Sequence, residues 1–240
     1  MSVDFGPRAS RYDELRPADE TWWTVFDAIL REGDFRGRRV LEVGCGTGML
    51  AAELSERVAA RVWAIDSEPA MVELALRRLP TVRKGRAESL PFKDAWFERV
   101  LMRQVIQHLD RAKALPEVAR VLEPGGRLIV ATFARSHFEN YWLNAFFPSF
   151  AAADLARFPE PTQLCAELFE AGFRTARVVP LALARTIERE TALERIRGRW
   201  LSTFDLIADD EYEAGLARAE QELPATLETT HEWAIVVADT

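Results

Sequence analysis

Three glycines in alternate positions, Gly44, Gly46 and Gly48, stand between a short apolar run and an amphipathic one. The run before them, Arg39–Val43, has the length and composition of a buried strand. In the run after them, Met49–Val58, leucine or valine recurs every four residues, as on one face of a helix. Glycine is required where the backbone turns sharply or approaches a ligand with no Cβ in between. This segment therefore predicts a strand, a tight turn and a helix.

The alternation of strand and helix continues along the chain. Further strands are predicted over residues 61–65, 82–87, 100–102 and 127–133, with two more near the end of the chain. Further helices are predicted over residues 22–30, 69–79, 111–122 and 161–171. The helix over 111–122 is expected to end at Pro124, with the glycines at 125 and 126 adopting positive φ. We therefore expect an α/β fold with a seven-stranded, mostly parallel sheet and helices on both faces.

Charge and composition limit the classes of partner. The chain has 31 Lys and Arg against 38 Asp and Glu, a net charge of -7, and its basic residues are not gathered in one stretch. Such a chain repels a phosphate backbone, so nucleic acid is an unlikely partner. Cys45 and Cys165 do not form the pattern of a secreted disulfide framework. Without a signal peptide or an apolar run of about 20 residues, we expect a soluble, cytoplasmic protein with no membrane partner.

An acidic residue completes the glycine segment. Asp66 ends the second predicted strand, about 18 residues past the last glycine, where a carboxylate can accept hydrogen bonds from ribose hydroxyls. A dinucleotide site would place its third glycine at the position of Met49, and the carboxylate of Glu42 is ill-suited to a pyrophosphate. Glu42 instead suits a cofactor with ammonium and sulfonium charges. A P-loop is excluded because Gly-Lys-Ser and Gly-Lys-Thr do not occur. The remaining alternative is a glycine turn that only lets the helix pack on the strand.

Residues 40–50 resemble the first motif of the class I S-adenosylmethionine-dependent methyltransferases, in particular their type 11 small-molecule group. Residues 66–71 are similar to the acidic-loop motif of that family, 85–92 to its adenine-side motif and 122–128 to the turn before its fifth strand. The resemblance implies a Rossmann-like fold, with S-adenosyl-L-methionine as the cofactor and S-adenosyl-L-homocysteine as its product. It does not identify the methyl acceptor.

The resemblance also implies where the cofactor binds. The implied cofactor-binding residues are Tyr12, Glu42, Gly44, Cys45, Gly46, Gly48, Asp66, Ser67, Met71, Ala87, Glu88 and Arg103. The glycines would make room for the methionine and ribose portions, with Glu42 and Tyr12 at the methionine end. Met71 would lie against the adenine, unless it only fills the core.

Methyl transfer from a sulfonium needs a general base only if the acceptor must first lose a proton. His108, after the fourth strand, is the candidate catalytic base near neutral pH, and Arg103 is a candidate partner for a carboxylate of the cofactor or acceptor. The alternatives are a structural salt bridge for Arg103 and simple packing for His108. The Asn/Asp-Pro-Pro-aromatic motif of methyltransferases that act on nucleic-acid bases is absent here.

The order of predicted elements, together with the resemblance, divides one expected domain into segments. Residues 1–36 would form a helical leader and residues 37–135 the cofactor-binding core. Residues 136–160 and 186–224 would form lid insertions on the acceptor side, and 173–179 and 232–238 the C-terminal strands. In the first insertion, Phe138, Tyr141 and Trp142 share one helical face, which points either to core packing or to a partly apolar or aromatic acceptor. His137 and His231 are isolated in the sequence, so no metal site is expected.

The sequence thus predicts an S-adenosylmethionine-dependent methyltransferase that acts on an unidentified small molecule. Two alternatives stay open: a protein that binds the cofactor without methyl transfer, and an NAD(P)-dependent oxidoreductase.

Overall fold

A computed structural model describes residues 5–240 of the chain. Its sheet contains seven strands: β1 (Arg39–Val43), β2 (Arg61–Asp66), β3 (Val82–Lys84), β4 (Phe97–Arg103), β5 (Leu122–Phe133), β6 (Thr175–Glu188) and β7 (Thr226–Asp239). The strand order is β3-β2-β1-β4-β5-β7-β6. Strands β1 to β5 are parallel to one another, whereas β7 runs antiparallel to both β5 and β6. The predicted α/β fold class is confirmed.

Ten α-helices of the described residues surround the sheet: α1 (Tyr12–Leu15), α2 (Glu20–Gly33), α3 (Met49–Val58), α4 (Pro69–Leu76), α5 (Arg111–Val121), α6 (Arg135–Glu139), α7 (Phe150–Leu155), α8 (Pro161–Glu170), α9 (Arg189–Arg197) and α10 (Asp209–Glu222). Short 3₁₀ segments lie at Gly6–Arg11, Ile106–His108, Trp142–Ala145 and Ser202–Asp205. Across residues 5–240, no helix combines the length and apolar character that crossing a membrane would need.

Side chains of the strands alternate between two buried layers. On one face, Val40 and Leu101 pack with apolar residues of α2, α3 and α4. On the other, Leu41 and Val100 pack with residues of α5 and α8. Successive strand residues point to opposite faces, so a parallel sheet covered on both sides needs nearly continuous apolar strands. The sequence of β1 has that composition, which is why its ends coincide with the prediction.

The glycine turn between β1 and α3 has the predicted form. Gly44, Gly46 and Gly48 all have positive φ, at 71°, 54° and 77°. Such angles are readily adopted only by glycine, so the chain can reverse direction within five residues. Since the sheet order also reverses between β1 and β4, a crevice opens beyond the carboxyl ends of these strands.

The last two strands run much further than predicted. Their pairing extends from Thr175 opposite Asp239 to Glu188 opposite Thr226, whereas β5 pairs with β7 only as far as Phe133. Their outer halves therefore project beyond the end of the sheet and carry α9 and α10. The predicted strands at 173–179 and 232–238 were too short, and the insertion begins at residue 189 rather than 186. Residues 181–188 alternate between exposed and more buried positions, as in a strand, with Leu181 and Leu183 packed against the core under α2 and Ile187 in the third buried cluster.

Three smaller corrections concern ends of elements. Helix α4 stops at Leu76 instead of residue 79, and β3 stops at Lys84 instead of residue 87. Strand β5 starts at Leu122 directly after α5, because that residue pairs with Phe97 of β4. Of the two glycines that follow, Gly125 alone has positive φ, at 78°.

A third buried cluster lies in the segments outside the sheet. Phe147 and Phe150, after α6, pack with Phe204, between α9 and α10, and Phe147 also stacks on Tyr212 of α10. The two predicted insertions therefore share one apolar core, which lies over the crevice at the sheet edge.

Candidate functional site

Two adjoining cavities occupy the crevice at the carboxyl ends of the parallel strands. The first, here called the loop cavity, has a volume of about 500 Å³ and follows the glycine turn and the end of β2. The second, here called the aromatic cavity, has a volume of about 260 Å³ and extends from the glycine turn to the lid segments. Tyr12, Gly44, Gly46, Arg103 and His108 line both, so the cavities meet at these residues.

The structure brings nearly all predicted site residues to these cavities. The loop cavity is lined by Tyr12, Gly44, Gly46, Asp66, Ser67, Met71, Ala87, Glu88, Arg103 and His108. Glu42 and Cys45 line the aromatic cavity. Burial and the nearby carboxylates of Glu42 and Asp66 raise the pKa of the Cys45 thiol, so it stays neutral and unreactive.

Gly48 is the exception, because it lines neither cavity. A Cβ on Gly48 would lie 2.9 Å from the Cβ of Ala75 on α4. Gly48 allows α3 and α4 to pack closely, and its place beside the cofactor stays a prediction. Gly44 is constrained in a related way, since a Cβ there would lie 2.3 Å from Val105. Gly46 is different, because its Cβ position has no atom within 4 Å and faces open cavity.

Asp66 is held at the end of β2 by the backbone. Its Oδ2 accepts a hydrogen bond from the Gly46 amide at 2.8 Å, and its Oδ1 accepts one from the Glu68 amide at 2.9 Å. A carboxylate has about four acceptor positions, so Asp66 can accept further hydrogen bonds from a ligand in the loop cavity. Burial raises the pKa of Asp66, and the two backbone bonds oppose that rise.

Glu42 presents a buried carboxylate beside the glycine turn. It is 3% exposed, and its Oε2 has no hydrogen-bond partner among the described residues. Burial raises the pKa of Glu42 to about 8, although the positive charge of Arg103 opposes the rise. Buried polar groups in proteins are nearly always hydrogen-bonded, so an unpaired carboxyl oxygen in a cavity wall indicates a place for a donor or cation from a ligand.

Arg103 faces the same point from the end of β4. Burial lowers the pKa of Arg103 to about 10, which still leaves the guanidinium charged at pH 7. The guanidinium lies 4.8 Å from the ring centroid of Trp22 and 5.8 Å from that of Trp233. No carboxylate of the described chain lies within 4 Å of it, so the alternative of a structural salt bridge is wrong. Arg103 is available to a ligand carboxylate.

His108 lies where the cavities meet, but it does not titrate near neutral pH as predicted. Burial first, and then the positive charges of Arg157 and Arg16, lower the pKa of His108 to about 4. Its imidazole is therefore neutral at pH 7 and packs edge-to-face on Phe5, with the ring centroids 5.3 Å apart. A neutral imidazole can accept a hydrogen bond from a hydroxyl or amine group of the molecule that receives the methyl group. With this lowered pKa it is a weak base.

The leader segment is tied to both the glycine turn and the lid. Asp13 accepts a hydrogen bond from the Thr47 hydroxyl at 2.7 Å and another from Arg78 at 2.6 Å. Arg16 donates two hydrogen bonds, at 3.0 and 2.8 Å, to the carbonyl of Trp200. Tyr12 precedes Asp13, and its hydroxyl accepts a hydrogen bond from Arg16 at 3.3 Å. Tyr12 also lines both cavities, so the leader covers the crevice. Asp13 and Arg16 were not predicted as site residues, because their partners are distant along the chain.

The aromatic cavity is bounded by rings from β5, β7 and the lid segments. Its ring-bearing side chains are Phe5, Tyr12, Trp22, His108, Phe133, His137, Phe138, Tyr141, Phe158, Trp200, His231 and Trp233. The expectation of one helical face across Phe138, Tyr141 and Trp142 is wrong, because α6 ends at residue 139 and a separate 3₁₀ segment follows. Phe138 and Tyr141 face the cavity, while Trp142 stacks on Trp200.

Polar side chains that the sequence analysis did not single out also line the aromatic cavity: Asp19, Asp154, Arg157, Arg185, Arg195, Ser202 and Thr203. Arg185 lies at a partly buried position of the alternating pattern in the outer half of β6. That alternation was the one feature of the sequence that could have placed Arg185 on the inner side of the strand. His137 and His231, isolated in the sequence, lie with ring centroids 5.3 Å apart. Within residues 5–240, no three His, Cys, Asp or Glu side chains are grouped so that they could hold a metal ion.

Comparison with known proteins gives three kinds of similarity. Residues 41–130 match the type 11 family model described as "Methyltransferase domain". An uncharacterized methyltransferase of Mycobacterium tuberculosis is 39% identical over 130 residues, which cover 53% of this chain and 51% of that protein. A malonyl-[acyl-carrier protein] O-methyltransferase of Hahella chejuensis is 36% identical over 138 residues, covering 55% and 49%. The chain spans about half the length of the curated relatives it matches.

The fold also matches solved structures. A candidate methyltransferase from an antibiotic biosynthesis pathway of Anabaena variabilis superposes with a TM-score of 0.75 and 22% identity, covering 90% of this chain and 96% of that one. The phosphoethanolamine N-methyltransferase 2 of Haemonchus contortus, in complex with S-adenosyl-L-methionine, has a TM-score of 0.61 and 19% identity, covering 97% and 56%. At these identities the likeness establishes the shared fold.

Proposed function

Because the chain carries a class I methyltransferase domain of the type 11 group, we propose that it transfers a methyl group from S-adenosylmethionine to a small-molecule acceptor. The observation that carries this proposal is the unpaired, buried Oε2 of Glu42 beside a glycine turn and within the field of Asp66. The anionic pyrophosphate of a dinucleotide would oppose ionisation of this carboxyl group, whereas an ammonium group would favour its ionised form and pair with it.

The described residues fit S-adenosylmethionine along the length of the crevice. Glu42 would hold the ammonium of the methionine end, and the free acceptor positions of Asp66 would hold the ribose hydroxyls. Gly46 leaves the open space that the cofactor needs near its ribose. Met71 and Ala87, both buried in the wall of the loop cavity, would border the adenine.

When bound, S-adenosylmethionine supplies a methyl group on a sulfonium, which a nucleophile of the acceptor takes in an in-line displacement. The protein contributes by placing the acceptor and by excluding water. The leader and the two lid segments, 136–160 and 189–224, enclose the aromatic cavity on the acceptor side. His108 would accept a hydrogen bond from the acceptor, and Arg103 would hold a carboxylate of the cofactor or acceptor.

The free thiols of Cys45 and Cys165 fit the predicted cytoplasmic location.

Titration calorimetry with S-adenosylmethionine, S-adenosylhomocysteine and NAD tests the cofactor assignment. We expect both adenosyl compounds to bind and NAD to give no heat. Binding of NAD alone would support the oxidoreductase alternative and refute the proposal. The variant Asp66→Ala serves as the matched control, because it removes the carboxylate expected to hold the ribose.

Methyl transfer itself is tested by incubating the protein with methyl-labelled S-adenosylmethionine and fractionated metabolite extracts. We expect label to appear in a small-molecule fraction, and to be lost with Asp66→Ala. Cofactor binding without label in any fraction would support the alternative of a protein that binds the cofactor without methyl transfer.

A further inference from the structure

Two arginines of the aromatic cavity share one carboxylate. Arg185 Nη2 lies 2.5 Å from Asp19 Oδ2, and Arg195 Nη2 lies 3.8 Å from the same oxygen. The other oxygen of Asp19 caps helix α2 by accepting a hydrogen bond from the Trp22 amide at 3.0 Å. One carboxylate therefore serves two guanidinium groups and a helix terminus.

This group carries one positive charge in excess. Neither arginine has another carboxylate within ion-pair distance among the described residues. Both side chains are largely buried, at 18% exposure for Arg185 and 16% for Arg195, so water screens the excess charge poorly. Burial and the neighbouring Arg185 lower the pKa of Arg195, and Asp19 opposes that effect.

A neighbouring histidine adds an unpaired ring nitrogen. His231 pairs with Leu183 across β6 and β7, two residues before Arg185, and its Nε2 is buried without a partner among the described residues. Burial, then the charges of Arg185 and Arg195, lower the pKa of His231 to about 4, so the ring stays neutral at pH 7. A neutral imidazole can still donate one hydrogen bond to an anion.

The position of this group separates it from the cofactor side. Arg185, Arg195 and His231 line the aromatic cavity and not the loop cavity. Trp233 of β7 pairs with the last residue of β5 on one side and with Leu181 of β6 on the other. Arg185 lies four residues beyond Leu181 along β6. At about 3.3 Å per residue, Arg185 is about 13 Å along the strand beyond the end of β5. Aromatic rings, including Phe133 and Tyr141, line the cavity with it.

We propose that Arg185, Arg195 and His231 form an anion subsite that binds a carboxylate of the methyl acceptor, so that the acceptor is an aromatic or similarly apolar carboxylic acid. This inference rests on the function proposed above and specifies its substrate class. A single excess positive charge matches a singly charged carboxylate better than a doubly charged phosphate. The carboxylate anchors the acceptor, and its apolar body lies along the rings towards the glycine turn.

The test compares acids with their uncharged counterparts. Phenylacetate, hydrocinnamate and phenylvalerate, their primary amides, and phenyl phosphate are titrated calorimetrically into the full chain, with and without S-adenosylhomocysteine. We expect at least one acid to bind roughly tenfold or more tightly than its amide, as a charge-assisted bidentate contact provides. Equal binding of every acid and amide, or tighter binding of phenyl phosphate than of the carboxylates, would overturn the proposal.

Substitutions on α9 test whether the preference for acids over amides depends on Arg195. Arg195→Gln is expected to remove the preference for acid over amide, and Arg195→Lys to keep part of it. Arg197→Gln is the matched control, because Arg197 lies on the same helix but is exposed and paired with Glu220 at 2.6 Å. A preference that survives in Arg195→Gln, with unfolding temperature and S-adenosylhomocysteine affinity as in the parent chain, would contradict the assignment.

The two proposals fail separately. If S-adenosylhomocysteine binds and acids are not preferred, the anion subsite is wrong and the proposed function stands. If acids are preferred but neither adenosyl compound binds, the subsite stands and the methyl-transfer function is wrong.

Discussion

Replacing Glu42 by glutamine separates what this carboxyl does for stability from what we propose that it does for binding. The side chain is almost fully buried, and its pKa is about 8 in the folded chain against an ordinary 4.5. In the unfolded chain it ionises freely above pH 4.5, so folding near neutral pH requires a proton to be taken up. Glutamine resembles the protonated form in shape and needs no proton.

The size of the effect follows from the displaced pKa. The displaced pKa of Glu42 lowers the free energy of unfolding. This loss of stability is absent below pH 4.5, grows as the pH rises towards 8 and is constant above that value. At about 1.4 kcal/mol per pH unit, it reaches about 3 kcal/mol at pH 7. Water in the open crevice screens part of it, so we expect Glu42→Gln to stabilise the cofactor-free chain by roughly 1–3 kcal/mol. For a chain of this length, at about 2–4 °C per kcal/mol, that raises the unfolding temperature by roughly 2–12 °C.

Thermal unfolding of the parent chain and of Glu42→Gln at about pH 5 and pH 8 measures this difference. The gap in unfolding temperature should be small at the lower pH and widen at the higher one. Glu56→Gln, at an exposed position on α3, is the control and should show no such trend. A gap for Glu42→Gln that does not change with pH would refute the reasoning, because the carboxyl would then not be held protonated.

The same variant should lose affinity for S-adenosylmethionine. Loss of a charged partner for the ammonium is expected to weaken binding by roughly 1.5–3 kcal/mol. Because pairing with the ammonium favours the ionised carboxylate, binding to the parent chain near pH 7 should release about one proton. Calorimetry in two buffers of different ionisation enthalpy measures that proton. Its persistence in Glu42→Gln would assign the proton to another group.

Asp66→Ala should weaken binding of S-adenosylmethionine by roughly 1–3 kcal/mol through lost hydrogen bonds, measured by calorimetry, and an unchanged affinity would contradict a ribose contact. Gly46→Val should abolish that affinity, because the new side chain enters open cavity, and should also lower the unfolding temperature, because φ at this position is 54°, while the circular dichroism spectrum at room temperature stays native. Gly48→Ala should instead lower the unfolding temperature with a much smaller loss of affinity, since its Cβ would meet Ala75. Equal effects of the two glycine substitutions on binding would refute the different roles assigned to them.

The sheet was predictable where local signals agreed. Strand β1 and helix α3 have the predicted ends, because an apolar run, a glycine turn and a helical repeat lie next to each other in the sequence. Asp66 was predictable for a similar reason, since it follows a buried strand at a fixed interval. The presence of each helix and strand on the cofactor side follows from such short-range patterns, whereas the ends of α4, β3 and β5 do not.

The acceptor side depends on contacts between distant parts of the chain. Asp19 meets Arg185, and Arg16 meets the carbonyl of Trp200, across more than 160 residues. The misjudged titration of His108 has the same origin, since burial and the charge of Arg157 lower its pKa. Local sequence patterns carry no information on these contacts between distant residues. The long β6 and β7 strands, whose projection beyond the sheet creates the lid, were likewise recognised only in part.

A crystal structure of the chain with S-adenosylhomocysteine would show whether Glu42 and Asp66 hold the cofactor. We expect the amino group of the ligand at the Glu42 carboxylate, its ribose hydroxyls on Asp66, and its open side towards the aromatic cavity. A ligand bound elsewhere, or one whose ribose lies away from Asp66, would contradict this expectation.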